Sequence, residues 1–179
     1  MRITISGPPG SGKTTVCDIL SEMLGYKAVV FGKLFREIAN ERNITLSELG
    51  DIAEKDNSID ELIDSRILEL AKGNDDIILE SRLSAHMLTR NKIPAFRVYL
   101  DASPEVRTGR IGVRENEAIE QVIKETEERE TSEAKRYMMY YGIDINDKGV
   151  YDLIVNTDNI SPDRVANIII CGMEESGCL

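Results

Sequence analysis

The chain has 179 residues, 41% of them hydrophobic and 30% charged, and its formal net charge is −10 at pH 7. This length suits a single α/β domain that buries its own core, and the acidic balance argues against nucleic acid as a partner, because a polyanion would be repelled. Any phosphate site must then be a local basic pocket, which favours a small phosphorylated ligand.

The cysteines, Cys17, Cys171 and Cys178, occur at spacings that suit no zinc site. Their sparse, odd number indicates a reducing compartment. The first strand begins too near the N-terminus to leave room for a signal peptide, and no apolar run approaches the roughly 18 residues of a membrane span. We therefore expect a cytoplasmic protein without membrane contact, in which Cys17 is a core thiol of the first helix.

The first apolar run, residues 2–6, predicts a strand, and a glycine-rich loop follows it directly. The loop residues are Gly7, Pro8, Pro9, Gly10, Ser11, Gly12, Lys13, Thr14 and Thr15. Between a strand and a helix, this G-x-x-x-x-G-K-[ST] spacing is typical of the P-loop, whose backbone N–H groups cradle phosphates at a helix N-terminus. We expect Lys13 to reach the β- and γ-phosphates of ATP and the Thr14 hydroxyl to ligate Mg²⁺. A glycine-rich hairpin with an accidental lysine is disfavoured, because all the fixed residue types and the strand–helix context are present.

Helices and strands alternate through the rest of the chain. A helix over 13–24 ends at Gly25, and a strand over 28–31 follows. Three helices come next, over 32–42, from Thr45 with Glu48 completing a capping box, and from Asn57. Further strands are predicted at 76–80, 96–101 and 151–156, and further helices at 103–114, 117–141 and 161–173. The alternation predicts an α/β fold with a parallel five-stranded sheet flanked by helices, and a small helical lobe inserted after the second strand.

Acidic residues end two of the predicted strands. Glu80 has the position of a Walker-B acid, which holds Mg²⁺ directly or through water, so we expect Thr14 and Glu80 to form the metal site. Asp101 ends the next strand and is the alternative, because ligands of open parallel sheets bind at the carboxyl ends of the strands. Either acid could instead be a solvated strand end.

Seven arginines are grouped in a way that is unusual for so acidic a chain. Three share one helical face, two stand seven residues apart on another, and two follow strand ends: Arg107, Arg110 and Arg114; Arg129 and Arg136; Arg36 and Arg82. Arginine suits planar, bidentate contact with phosphate. Helix arginines also pair with glutamates one turn away, as Arg129 could with Glu125 or Glu133. Their number around a P-loop favours a shared role in phosphate binding, whereas the lone His86 is expected to be structural or exposed.

Several segments carry a family resemblance. They are Gly32-Lys33-Leu34-Phe35-Arg36, Glu80-Ser81-Arg82-Leu83, the segment 100–107 with the sequence LDASPEVR, the segment 129–136 with the sequence RETSEAKR, and Tyr140-Tyr141-Gly142-Ile143-Asp144. In this order, after a P-loop, they resemble the cytidylate kinases of the P-loop nucleoside monophosphate kinase family, and the last segment resembles the archaeal type. Asn91-Lys92-Ile93-Pro94 lacks the Asp of the base-reading motif of signalling GTPases, which disfavours that class. The resemblance covers essentially the whole chain.

The resemblance implies transfer of a phosphoryl group from ATP to CMP or dCMP, with Mg²⁺, in a single kinase domain that we expect to be monomeric. The core would comprise about 1–31, 76–106 and 142–179, with a helical nucleotide-binding insertion over about 32–75 and a lid over about 107–141. ATP would bind the P-loop, near the loop of Asn156, Thr157 and Asp158. The implied catalytic residues are Lys13, Arg82, Arg107, Arg110, Arg129 and Arg136. The implied substrate-binding residues are Arg36, Asp60, Arg66, Arg82, Arg129 and Arg136.

The chain departs from the family's pattern at two positions. Ser81 replaces the usual Gly, and Leu83 stands where bacterial relatives place an Asp that contacts cytosine. The candidates for reading the base therefore lie in the inserted helices: Asp56, Asp60, Asp64 and Arg66. A carboxylate can accept from the cytosine amino group, although a solvated acidic helix remains the alternative. An adenylate or other small-molecule kinase, or an ATP-dependent switch that gates a partner, are the alternative functions.

Overall fold

The computed structural model describes residues 1–177, so Cys178 lies outside the described residues. The strands are β1 (Arg2–Ser6), β2 (Lys27–Val30), β3 (Ile77–Glu80), β4 (Phe96–Asp101) and β5 (Leu153–Asn156). The helices are α1 (Lys13–Leu24), α2 (Phe31–Glu41), α3 (Leu46–Ala53), α4 (Ser58–Gly73), α5 (Ser84–Arg90), α6 (Pro104–Glu115), α7 (Ile119–Tyr141) and α8 (Pro162–Glu175).

All five strands pair in parallel, in the order β2-β3-β1-β4-β5, which confirms the predicted sheet. The central strand β1 lies between β3 and β4, and the P-loop leaves from its carboxyl end. Pairing of Ile5 with Glu80 brings the end of β3 beside that loop. The topology therefore places the acid that ends β3 next to the first helix.

Each face of the sheet buries its own apolar cluster. On one face, α1 and α8 cover Ile3, Ile5 and Val98, and on the other face α2 to α5 cover Ile77 and Leu79. A strand that is buried on both faces requires a near-continuous run of apolar residues, and β1, β3 and β4 have such sequences. Among the described residues, no helix is long and apolar enough to span a membrane.

Sequence signals near the helix ends, such as capping residues and glycines, predicted the positions of most helix ends correctly. The capping box at α3 is formed: the Thr45 backbone N–H donates to Glu48 Oε2 at 2.7 Å, and the Glu48 N–H donates to Thr45 Oγ1 at 3.1 Å. Gly25 takes the left-handed conformation that ends α1. Phe31 was predicted to end the second strand, but it begins α2 instead, because its ring packs into the apolar cluster beneath the inserted helices.

Helix α5 was not predicted. It has only seven residues, and its N-cap, Leu83, makes no side-chain capping bond, so the usual start signal is missing. Its buried residues include the polar Ser84 and His86, which obscure an apolar face. His86 packs edge-on against the Tyr151 ring at a centroid distance of 5.8 Å, consistent with the structural role expected for it.

Gly10 sits where the P-loop touches α6. Its φ of +80° lies in the left-handed region, and an added Cβ would lie 2.6 Å from the Arg107 carbonyl oxygen. A side chain at this position would therefore meet both backbone strain and a fixed backbone atom.

We expect Gly10→Ala to lower the free energy of unfolding by about 2 kcal/mol, measured by urea denaturation. Gly109→Ala is the matched control, since Gly109 is helical and an added Cβ there has no neighbour within 4 Å. That variant should be neutral or more stable by up to about 1 kcal/mol. Equal stability of the two variants would contradict the tight contact at Gly10.

Candidate active site

The P-loop side chains meet the end of β3. Lys13 Nζ donates to the Pro8 carbonyl oxygen at 2.8 Å, and Thr14 Oγ1 donates to Glu80 Oε2 at 3.0 Å. Desolvation by burial lowers the pKa of Lys13 to about 8, with Arg82 and Arg129 adding to the effect and Glu80 opposing it. The ammonium group is therefore mainly charged at pH 7, and it is more easily neutralised than an exposed lysine.

Thr14 and Glu80 together present the hard oxygen donors that Mg²⁺ prefers, so this pair fits the predicted metal role. The alternative acid, Asp101, is placed differently. Its carboxylate accepts from Lys148 Nζ at 2.7 Å and from the Ala102 N–H at 3.0 Å. The structure therefore puts Glu80, and not Asp101, beside the P-loop hydroxyl.

The first two arginines of α6 bind the P-loop backbone. Arg107 Nη1 donates to the Pro9 carbonyl oxygen at 3.1 Å and to Glu130 Oε1 at 2.9 Å. Arg110 Nη1 donates to the Gly10 carbonyl oxygen at 3.3 Å, and its Nη2 donates to the Thr157 carbonyl oxygen at 2.7 Å. These two guanidinium groups therefore join α6, the P-loop and the loop after β5.

A cavity of about 140 Å³ lies between the P-loop and helices α2, α4 and α7. Its charged lining residues are Lys13, Arg36, Asp60, Asp64, Glu80, Arg82, Arg114, Arg129, Glu133 and Arg136. Phe31, Phe35, Ile63 and Tyr137 supply apolar surface. The cavity is the local basic pocket that the acidic composition required.

Glu133 is the counter-ion of two of these arginines. Its Oε2 accepts from Arg82 Nε at 2.7 Å and its Oε1 from Arg129 Nε at 2.9 Å. Burial alone would raise the pKa of Glu133, but the guanidinium groups of Arg129 and Arg82 outweigh it and lower the pKa to about 2. Glu133 is therefore ionised and holds the two arginines side by side. The spacing of four residues between Arg129 and Glu133 predicted that ion pair, but nothing in the sequence predicted the pair of Glu133 with Arg82.

Arg136 is held by α4. Its Nε donates to Asp60 Oδ2 at 2.8 Å, its Nη1 donates to Ser132 Oγ at 2.8 Å, and the Phe35 and Tyr137 rings lie 5.8 and 5.6 Å from the guanidinium carbon. The Asp60 carboxylate is thus already engaged, and its contact with Arg136 positions that arginine in the cavity wall.

Arg36 differs from the other cavity arginines because it forms no ion pair among residues 1–177. Burial lowers its pKa, and the nearby charges of Arg114 and Arg129 add to the effect. A cation among cations, without its own carboxylate, leaves this part of the cavity suited to an anion.

Two of the predicted base-reading residues are not brought to the cavity. Arg66 lies on the outer face of α4, where Nη1 contacts Glu69 Oε2 at 2.6 Å and the side chain is 52% exposed. Asp56 is exposed and lies before α4, where its carboxylate accepts from the Ser58 N–H at 2.9 Å. Helical periodicity alone could not show which face of α4 the cavity would use.

At pH 7 we expect Glu133→Gln to lower the free energy of unfolding by about 3 kcal/mol, because two partly buried guanidinium groups lose their counter-charge. The ordinary pKa of glutamate is 4.5, and the folded value is lower. The stabilisation is therefore full above about pH 4.5 and is lost as the pH falls towards 2. Urea denaturation at several pH values should show the difference between wild type and variant shrinking over that window.

The matched control is Glu128→Gln on the same helix, since the exposed Glu128 lies 3.9 Å from Lys124. That change should stay within about 0.5 kcal/mol of wild type. A Glu133→Gln protein as stable as the control at pH 7 would contradict the bridging role.

Comparisons with known proteins identify the family and the fold. A family model for the cytidylate kinase-like family matches residues 2–159. A cytidylate kinase of Natronomonas pharaonis is 47% identical over 169 residues, covering 94% of this chain and 87% of that one. A cytidylate kinase of Methanothrix thermoacetophila is 50% identical over 157 residues, covering 88% of each. Shikimate kinase from Acinetobacter baumannii, in complex with shikimate, has a similar fold, with a TM-score of 0.62 at 19% identity over 98% of this chain and 93% of that one.

The matched residues extend from β1 beyond the end of β5, and the relatives align over nearly their full length, which confirms the family resemblance of the sequence motifs. The chain belongs to the cytidylate kinase-like family.

Proposed function

We propose that this protein transfers the γ-phosphoryl group of ATP to the phosphate of CMP or dCMP. The observation that carries the proposal is the cavity itself, where the P-loop faces a set of arginines from α2, β3 and α7. One nucleotide would need only the P-loop side of this arrangement. Cationic groups on both sides of the expected γ-phosphate position suit two phosphorylated ligands. The cytidylate kinase relatives favour CMP over other acceptors.

On the donor side, the loop amides and Lys13 bind the ATP phosphates. Arg107 and Arg110 hold the loop from α6 and place positive charge at its far side. Thr14 and Glu80 would hold Mg²⁺, which supplies charge neutralisation at the β- and γ-phosphates.

On the acceptor side, Arg36 binds the phosphate of the monophosphate, and Arg82 and Arg129 stabilise the group in transfer, with Arg136 beside them. Glu133 keeps two of these guanidinium groups from separating. The acceptor phosphate is already an anion, so the reaction needs no general base and no covalent intermediate. The chain's task is to position the two phosphates in line and to exclude water.

We also propose that residues of about 32–75 act as the acceptor-binding insertion and residues of about 107–141 as the lid. The two segments contact each other, since Arg136 of α7 pairs with Asp60 of α4 and Lys135 pairs with Glu54. Opening of the cavity would have to break these pairs, so closure of the two segments on substrate is coupled.

A coupled assay of ADP formation with Mg-ATP and CMP, dCMP, UMP, AMP or GMP tests the reaction. We expect strong turnover with CMP, weaker turnover with UMP and little with AMP. Lys13→Met should reduce turnover with CMP by at least about 100-fold while the protein stays folded, because one phosphate contact is removed in a dry site. Lys72→Met, at the exposed end of α4, is the matched control. Turnover with AMP alone, or ATP hydrolysis that no monophosphate accelerates, would refute the proposal.

The acceptor site is tested by removing one arginine from the cavity and one from outside it. Arg36→Ala should raise the KM for CMP by at least about tenfold, because a charge-assisted phosphate contact is lost. Arg66→Ala should change that KM by less than about twofold, since its side chain lies outside the cavity wall. Equal effects of the two substitutions would show that the acceptor phosphate does not bind here.

A further inference from the structure

One buried carboxyl group in the cavity takes part in none of the contacts described above. Asp64 is only 6% exposed and lines the cavity, and its Oδ2 atom has no hydrogen-bond partner among residues 1–177. Buried polar atoms are nearly always paired, so an unpaired carboxyl oxygen at a cavity wall indicates a position where a ligand supplies the partner.

The surroundings of Asp64 differ from those of Lys13. The charges that act on Lys13 are Glu80, Arg82, Arg129 and Glu133, whereas those that act on Asp64 are Asp60 and Arg136. The cavity therefore has a phosphate end at the P-loop and a second end at the middle of α4. Apolar surface from Ile63 and the ring of Tyr137 lines the cavity near this second end.

No neighbour neutralises Asp64. Asp60, one turn earlier on α4, carries a like charge, and Arg136, the cation that acts on Asp64, is hydrogen-bonded to Asp60 at 2.8 Å. The Tyr141 hydroxyl of α7 lies close enough to Asp64 to oppose the rise of its pKa, but neither this hydroxyl nor Asp64 Oδ2 has a partner at full hydrogen-bond geometry among residues 1–177. Desolvation by burial raises the pKa of Asp64 to about 7, and the like charge of Asp60 adds to the effect. In its neutral form the carboxyl group offers one donor and one acceptor side by side.

We propose that Asp64 reads the base of the acceptor nucleotide as a neutral carboxyl group, its C=O accepting from the N4 amino group of cytosine and its O–H donating to N3. This inference rests on the proposed function, because it takes the second end of the cavity as the base end. The pairing uses the N4 amino group and N3 of cytosine and leaves no carboxyl oxygen unpaired. The proton stays on the carboxyl group, so no bond is made or broken.

Asp64→Asn and Asp64→Ala separate this role from a structural one. The amide of the Asn variant has the same donor and acceptor as the neutral carboxyl, so it should bind CMP like wild type at pH 6. The Ala variant should raise the KM for CMP by at least about tenfold, with a smaller effect on kcat. Asp56→Asn, an exposed acid just before the same helix, is the matched control and should leave KM unchanged.

The pH dependence gives the sharper readout. If only the neutral form binds, the KM of wild type for CMP rises by about tenfold for each pH unit above about 8, because the competent fraction falls. The KM of Asp64→Asn should stay nearly flat over the same range. Both proteins keep Lys13, so the ratio of their KM values is unaffected by the titration of Lys13.

Proton uptake on binding is a second measurement. In calorimetry at pH 8 in buffers of different ionisation enthalpy, wild type should take up about one proton more per CMP bound than Asp64→Asn.

The outcomes distinguish the two proposals. Wild type that phosphorylates CMP, with equal pH profiles and equal proton uptake in wild type and Asp64→Asn, overturns the role of Asp64 and leaves the proposed function standing. Wild type that does not phosphorylate CMP overturns both. The comparison with Asp64→Asn decides the matter even if Asp64→Ala fails to fold, because the amide has the size and shape of the carboxyl group.

Discussion

The site depends on one buried carboxylate. Glu133 sits between Arg82, which follows β3, and Arg129 of its own helix, and accepts a hydrogen bond from each. Two guanidinium groups held together in a largely buried cavity wall would repel each other strongly, because Coulomb interactions grow as the dielectric falls. The negative charge of the shared carboxylate offsets this repulsion and leaves the other N–H groups of both arginines free to donate to a ligand. It also joins α7 to the carboxyl edge of the sheet, so the arrangement of the cavity arginines and the packing of the long helix depend on the same contact.

The same arrangement recurs around the cavity and explains how an acidic protein contains a basic site. Asp60 holds Arg136, and Glu130 holds Arg107. These acids of the site thus serve as counter-ions that orient arginines, while most acids elsewhere in the described chain lie at the surface and keep it acidic. Arg36 is the exception, since it faces other cations without an acid of its own. The local field therefore attracts an anion to one place although the net charge of the chain is −10.

The pKa values of the buried titratable groups in the cavity shift in different directions because the partners of these groups differ. Glu133 has two cations and keeps its charge far below neutral pH. Asp64, only partly screened by its neighbours, is pushed towards the neutral form. Lys13 loses hydration without gaining a full counter-ion, so its pKa is lower than that of a surface lysine and its ammonium group is neutralised more easily. One cavity thus contains an ionised acid, an acid whose pKa lies near neutral pH and a lysine whose pKa is lowered, which is how proteins assign separate roles to similar groups.

The sequence by itself determined the features that depend on neighbours along the chain. The P-loop spacing, the apolar runs of the central strands and the capping box of Thr45 and Glu48 all act within a few residues, so they could be read directly. The family motifs extended this to the arginines. Only the tertiary structure decided which acid serves which arginine: Arg82 and Glu133 are 51 residues apart, and Arg136 and Asp60 are 76 apart. It also decided that α4 turns Asp64 inward and Arg66 outward, because the face of a helix is chosen by what packs against it, and that partner cannot be read from the helix alone.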